Sequence, residues 1–265
     1  MNGGGAALVT GGGKRLGASM ALYLGARGFD VAVHYHASAE AAEGIAARIA
    51  EGGARAVALG ADLLSEDQTA ELLPEAARQL GRPITLLVNN ASIFEYDTIR
   101  SATRESWDRH IGSNLRAPFV LTQALARQVP DPVLDARGEP VAQGLVVNML
   151  DQKIRKLTPE HMTYTIAKMG LWTLTRTAAQ GLAPRVRVNG IGPCPTLQGA
   201  RQPDHHFAGQ RQNTTLGRGS NPEDITAALG FLIDSPGVTG QCICVDGGQH
   251  LNWQTPDEMG VGGGA

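Results

Sequence analysis

Tyr164 and Lys168, in the run Tyr164-Thr165-Ile166-Ala167-Lys168, are the pair best placed to move a proton. Residues i and i+4 share one face of a helix. A free phenol, with a pKa of about 10, exchanges protons poorly near neutrality, and an adjacent ammonium lowers that value. Alone, this spacing is a common surface pattern. A second motif gives it meaning. The run Thr10-Gly11-Gly12-Gly13-Lys14-Arg15-Leu16-Gly17 follows a short apolar stretch, Ala6-Ala7-Leu8-Val9, and opens a helical pattern. Glycines there let the backbone approach a pyrophosphate, and the helix N-terminus offers unpaired N–H groups with a partial positive charge. The placement between a first strand and a first helix predicts a dinucleotide-binding turn.

The residues after the second apolar run choose the dinucleotide. NAD sites usually place Asp or Glu there to bind the ribose 2′-hydroxyl. Here the run ends Val33-His34-Tyr35-His36-Ala37-Ser38, with no carboxylate before Glu40. Lys14, Arg15, His36 and Ser38 can instead meet a 2′-phosphate with charge and donors. Basic residues at a helix start oppose its macrodipole, and a bound anion would remove that conflict. NADPH is therefore the expected cofactor.

With that turn in place, the Tyr164–Lys168 pair resembles the short-chain dehydrogenase/reductase superfamily, over residues 5 to about 250. The resemblance assigns further residues. Asn90 and Ala91, in Asn89-Asn90-Ala91, would line the adenine side of the cofactor site. Asp62 and its neighbour Leu63 would sit beside the adenine, and Pro193 beside the nicotinamide. Asn114 would hold a proton-relay water. The full cofactor set is then Gly11, Lys14, Arg15, Leu16, Gly17, His36, Ser38, Asp62, Leu63, Asn90, Ala91, Ser92, Tyr164, Lys168 and Pro193. It also implies that the Tyr164 helix and its predecessor form a dimer surface, within a homotetramer.

Two departures narrow the resemblance. Arg15 stands where the superfamily's loop has its middle glycine, and Asp151, in Asn148-Met149-Leu150-Asp151, where its catalytic serine lies. A carboxylate opposes an oxyanion but suits a substrate that presents N–H groups. Both changes resemble the pteridine reductases, including bacterial dihydromonapterin reductase-type members, whose triad is Asp, Tyr, Lys. The stretch from His34 to Ala41 is also similar to theirs, although Ala37 stands where they often carry Arg. By the same resemblance Ser92 and Phe94, in Asn90-Ala91-Ser92-Ile93-Phe94, form a substrate wall on which the aromatic sandwiches a pterin. The substrate set is Ser92, Phe94, Asp151 and Tyr164. The implied reaction is NADPH-dependent reduction of a pterin C=N bond, with dihydrofolate as a broader substrate. Two rivals stand beside it: a carbonyl reductase of 3-oxoacyl thioesters or sugar alcohols, and a non-catalytic NADPH sensor.

These residues need a scaffold that brings distant segments together. Short apolar runs alternate with helical patterns along the chain: strands at 6–9, 31–33, 56–59, 84–88, 145–147, 186–188 and 242–245, and helices at 15–27, 39–50, 66–79, 103–128, 162–182 and 223–232. This alternation predicts one doubly wound α/β domain of the Rossmann type, with a seven-stranded parallel sheet between helical layers. Residues 1–253 would form that domain and 254–265, rich in glycine, a loose tail. Residues 130–143 read as an insertion. Residues 193–221 show no clear pattern and read as a loop covering the ligand.

Composition excludes other classes. The net charge is −2 and aromatics make up 5%, so neither a basic nucleic-acid face nor a base-stacking platform is expected. No run approaches the roughly 20 apolar residues of a membrane helix. Cys194, Cys242 and Cys244 have no disulfide-framework spacing, which suits a reducing compartment and a cytoplasmic protein. No metal site is expected. The adjacent His205 and His206 read as solvent-exposed, and Trp172 as packing.

Overall fold

The computed structural model describes residues 4–198 and 203–253. Seven strands form one parallel sheet: β1 (Ala6–Val9), β2 (Asp30–Tyr35), β3 (Ala56–Gly60), β4 (Ile84–Asn89), β7 (Gly144–Met149), β8 (Val186–Pro193) and β9 (Cys242–Val245). Their order is β3-β2-β1-β4-β7-β8-β9. The expected fold class is therefore present. Direction reverses beside β1, which pairs with β2 on one side and β4 on the other. A crevice opens at such a switch point, outside the carboxyl ends of the strands, and it is where ligands bind in open α/β sheets.

The pleat sorts the core into two layers. On β1, Ala7 and Val9 point into a cluster with Leu24, Ile45 and Leu229. Ala6 and Leu8 point the other way, against Leu73, Leu121 and Leu125. Helices α1 (Arg15–Ala26), α2 (Ala39–Glu51) and α8 (Pro222–Asp234) cover the first face. Helices α3 (Glu66–Leu80), α5 (Ala117–Gln128) and α6 (Met162–Leu182) cover the second. Each fully buried Leu on these faces contributes about 1.5–3 kcal/mol of transfer free energy.

Local signals account for most boundaries. Ser65 caps α3 by accepting from the Gln68 N–H, and Gly81 ends it in the left-handed conformation. The expected helix 103–128 is three pieces: α4 (Arg104–Ile111), a π-turn (Gly112–Arg116) and α5. Thr103 and Ser106 form a capping box at its start. The insertion at 130–143 contains a small antiparallel hairpin of β5 (Val133–Leu134) and β6 (Pro140–Val141). The patternless stretch after Pro193 contains a helix, α7 (Asp204–Gln212), with no buried residue. Without a buried stripe it leaves no periodic mark on the sequence. Residues 254–265 lie outside the described residues. Among those described, no helix is long and apolar enough to cross a membrane.

Candidate active site

The turn after β1 is built for close approach of an anionic group. Gly11 has φ +61°, and a Cβ at Gly17 would collide with the Gly11 carbonyl. The N-cap residue of α1, Lys14, makes no side-chain cap bond. The same is true of Ser38 at the start of α2. Both helices therefore keep N-terminal N–H groups for a ligand. Lys14, Ser38 and the first turn of α2 line one pocket, where the sequence places the 2′-phosphate. His36 is exposed and does not line it. The donor set fits an NADPH phosphate.

Asn90 and Ala91 act from beneath. Thr10 Oγ1 accepts from both their N–H groups, at 2.9 and 3.0 Å, and Asn90 Nδ2 donates to the Thr10 carbonyl at 2.8 Å. They brace the turn. Sequence reasoning missed His34, buried on β2. Its Nδ1 accepts from the Gly11 N–H at 3.0 Å, and its Nε2–H faces the Ala61 carbonyl at 3.0 Å. Both bonds require a neutral ring, and burial lowers the His34 pKa accordingly. Asp62 closes an Asx turn by accepting from the Leu64 N–H at 2.9 Å, with Leu63 packed beside the core.

Tyr164 and Lys168 lie buried on α6, one turn apart, with the Lys168 Nζ 5.6 Å from the phenol ring centroid. Lys168 donates to the Met149 carbonyl at 2.7 Å, and burial lowers its pKa to about 8. Asp151 follows β7 and caps the short turn Gln152–Ile154. One of its oxygens accepts from the Lys153 N–H and the other from the Tyr164 hydroxyl, each at 2.8 Å. The three residues expected as a triad are thus joined in space.

Their electrostatics differ from expectation in one respect. The Tyr164 pKa is pushed up, not down, first by burial and then by the neighbouring Asp151 charge. The Ser92 hydroxyl pulls the other way by hydrogen bonding to Tyr164. Burial also raises the Asp151 pKa. The site therefore holds Tyr164 protonated, and because a raised pKa makes the phenol a weaker acid, its proton is released only toward a strongly basic atom.

Phe94 lies across the same site. Its ring stacks on His161 at 4.2 Å and meets Tyr164 edge-on at 4.7 Å. A cleft of about 680 Å³ is lined by Arg15, Phe94, Asp151, Tyr164 and Pro193, joined by Lys153, Glu160, His161 and Gln249, which the sequence did not single out. Arg15 occupies the left-handed region, φ 54°, where glycine is favoured, and this explains why a glycine is usual there. Its guanidinium spans the cleft mouth, donating to the carbonyls of Leu197 and Gln198 at 2.9 and 2.7 Å. The Asn114 amide is bound to the Ile93 backbone on both sides, accepting at 2.9 Å and donating at 2.8 Å. Trp172 packs against the Leu150–Leu171 cluster, and His205 and His206 are exposed on α7.

Comparison with known proteins shows the family. The family model described as enoyl-(acyl carrier protein) reductase matches residues 13–250, and the chain belongs to the short-chain dehydrogenase/reductase superfamily. The solved structure of FolM, alternative dihydrofolate reductase 1 from Brucella suis in complex with NADP, is 38% identical, with a TM-score of 0.89 over 97% of this chain and 99% of that one. Pteridine reductase 1 of Leishmania tarentolae is 34% identical, covering 92% of this chain and 96% of its own. The 3-oxoacyl-[acyl-carrier-protein] reductase FabG of Staphylococcus epidermidis is 30% identical, covering 92% and 98%.

Proposed function

We propose that the chain is an NADPH-dependent reductase of pterins, acting on a ring C=N bond of a dihydropterin and extending to dihydrofolate. The reading rests above all on the Asp151 carboxylate, bonded to the Tyr164 hydroxyl at 2.8 Å inside a cleft walled by Phe94. Bound NADPH supplies the hydride. Gly11, Gly17, Lys14 and Ser38 hold its phosphates, and Lys168 and Pro193 its nicotinamide end. Tyr164 releases its proton toward the ring nitrogen, and Asp151 accepts from the N–H groups of the substrate and orients the phenol. Phe94 stacks on the flat heterocycle with the face that His161 leaves uncovered. Any contact of Asn114 with a relay water falls to its second amide hydrogen or its carbonyl groups, because one amide hydrogen is engaged by the Ile93 carbonyl.

The FolM and pteridine reductase likenesses favour this reading, and the FabG likeness favours a carbonyl reductase. The half-buried Asp151 carboxylate at the substrate end supports the pterin reading, since it would repel a developing alkoxide. We also read the chain as a cytoplasmic homotetramer, with Phe119 on α5 and Ile166 on α6, 37% and 40% exposed, on the paired faces. The test is NADPH oxidation, followed by absorbance, with dihydrobiopterin, dihydrofolate and an acetoacetyl thioester side by side. Turnover of the pterins is expected. Turnover of the thioester alone supports the carbonyl reductase, and turnover of none supports a sensor.

A further inference from the structure

Below the substrate wall lies a buried polar chain that none of the roles above uses. Asp97 is 2% exposed and His110 fully buried. The Asp97 carboxylate accepts from the Thr163 N–H at 3.1 Å and from the Thr163 hydroxyl at 2.5 Å. Its carbonyl also accepts from the Met162 N–H at 3.3 Å. The N-cap residue of α6, His161, has φ 54° and offers no side-chain cap. Asp97 thus caps the catalytic helix from a distant loop and places a negative charge at its positive end.

Hydrogen counting orients the rest. A hydroxyl has one hydrogen, and Thr163 gives it to Asp97. The Thr163 oxygen must then accept from His110 Nδ1, 2.7 Å away. His110 Nε2 accepts from the Glu95 N–H at 3.1 Å and so carries no proton. The imidazole is neutral, with its hydrogen on Nδ1. A single directed chain therefore runs from Glu95 N–H through His110 and Thr163 to Asp97. Glu95 follows the wall residue Phe94, and Thr163 precedes the proton donor Tyr164.

We propose that His110 and Asp97 are positioning residues that latch the substrate wall to the catalytic helix, fixing the distance between Phe94 and Tyr164. The proposal rests on reading Tyr164 as proton donor and Phe94 as substrate wall. Protonation of His110 opens the latch, because a hydrogen on Nε2 would face the Glu95 N–H. The groups facing this ring are Asp97 and Glu95 on the wall loop and the Ser106 carbonyl on its own helix, which favour the cation, Arg109 on the same helix, which opposes it, and the Tyr164 ring on α6. Burial is the largest influence and lowers the His110 pKa, so the latch is closed at neutral pH and opens on the acid side.

The test compares Thr163→Val, which removes the hydroxyl, with Thr163→Ser, which keeps it, and His110→Leu with His110→Gln, whose amide oxygen can still accept from Glu95. Three readouts are taken: KM and kcat for dihydrobiopterin across pH, NADPH affinity by fluorescence, and hydrogen–deuterium exchange of residues 92–97. Thr163→Val and His110→Leu are expected to raise KM about tenfold, to flatten its acid rise and to speed exchange of the Glu95 amide. Thr163→Ser is expected to match the parent, with NADPH affinity unchanged throughout. Equal KM and exchange for Thr163→Val and Thr163→Ser would overturn the latch. So would a tenfold loss of NADPH affinity in both Thr163→Val and His110→Leu, since the effect would then be general. If the parent turns over no pterin, the functional reading fails, and the exchange comparison alone decides the latch.

Discussion

The two walls of the cleft are held in different ways. On the Phe94 side, the backbone of Ile93 and Glu95 is tied down by Asn114 and His110, and the Asp97 carboxylate by Thr163, through hydrogen bonds at buried or part-buried sites. On the lid side, Arg15 grips the carbonyls of Leu197 and Gln198 in the open. Arg211 donates to the carbonyls of Pro195, Gly219 and Ser220, and α7 buries no residue. A bond shielded from water is worth more than one exposed to it, and a side chain without buried area adds no hydrophobic anchor. The Phe94 wall is thus anchored in the interior, whereas α7 on the opposite side has no hydrophobic anchor.

The largest expected effect lies on the fixed side. Tyr164→Phe removes the proton donor while keeping the ring against Phe94. Its kcat should fall by at least 10²-fold with NADPH affinity intact, measured by steady-state kinetics and cofactor titration. An equal fall in both would place Tyr164 in binding alone. On the opposite side, Arg211→Ala frees the carbonyls of Pro195, Gly219 and Ser220. It should raise KM several-fold and speed proteolytic nicking after Pro193, with kcat little changed and a stability loss of about 1–3 kcal/mol in urea unfolding. A comparable fall in kcat would show that the lid, too, sets geometry. The smallest effect is expected from Arg15→Gly. Relief of the left-handed backbone, worth about 1 kcal/mol, offsets the two lost exposed bonds, so the melting temperature should barely move.

Most of the scaffold was legible because its strands are continuous apolar runs between turn residues. The bounds read for the catalytic helix, 162–182, and for the last strand, 242–245, match α6 and β9. The β8 strand runs on to Pro193 where only 186–188 was read, since Asn189, Gly190 and Gly192 are buried without being apolar. The gathering of Asp151, Tyr164, Lys168, Phe94 and Arg15 in one region was legible through spacing and a family pattern. His34, His110 and Asp97 were not. Their roles depend on partners far along the chain, such as Gly11 for His34 and Thr163 for Asp97, and no local spacing encodes those contacts. The direction of the Tyr164 shift was misjudged for a related reason. The ammonium was visible on the same helix, whereas burial is set by the whole fold.

The π-turn at Gly112–Arg116 has a consequence for how such a chain tolerates change in length. Its closing bond runs from the Ala117 N–H to the Gly112 carbonyl, so the helix carries one residue more than an α-helix of the same rise. Each residue of an α-helix turns the path by about 100°, so losing one would swing everything before it around the axis relative to α5. Asn114 would leave Ile93, and His110 would leave Glu95, although the helix itself would become more regular. The irregular turn works as a phase shifter between two helices that must face different neighbours. A deletion there is expected to harm the site more than a loss of helical order would suggest.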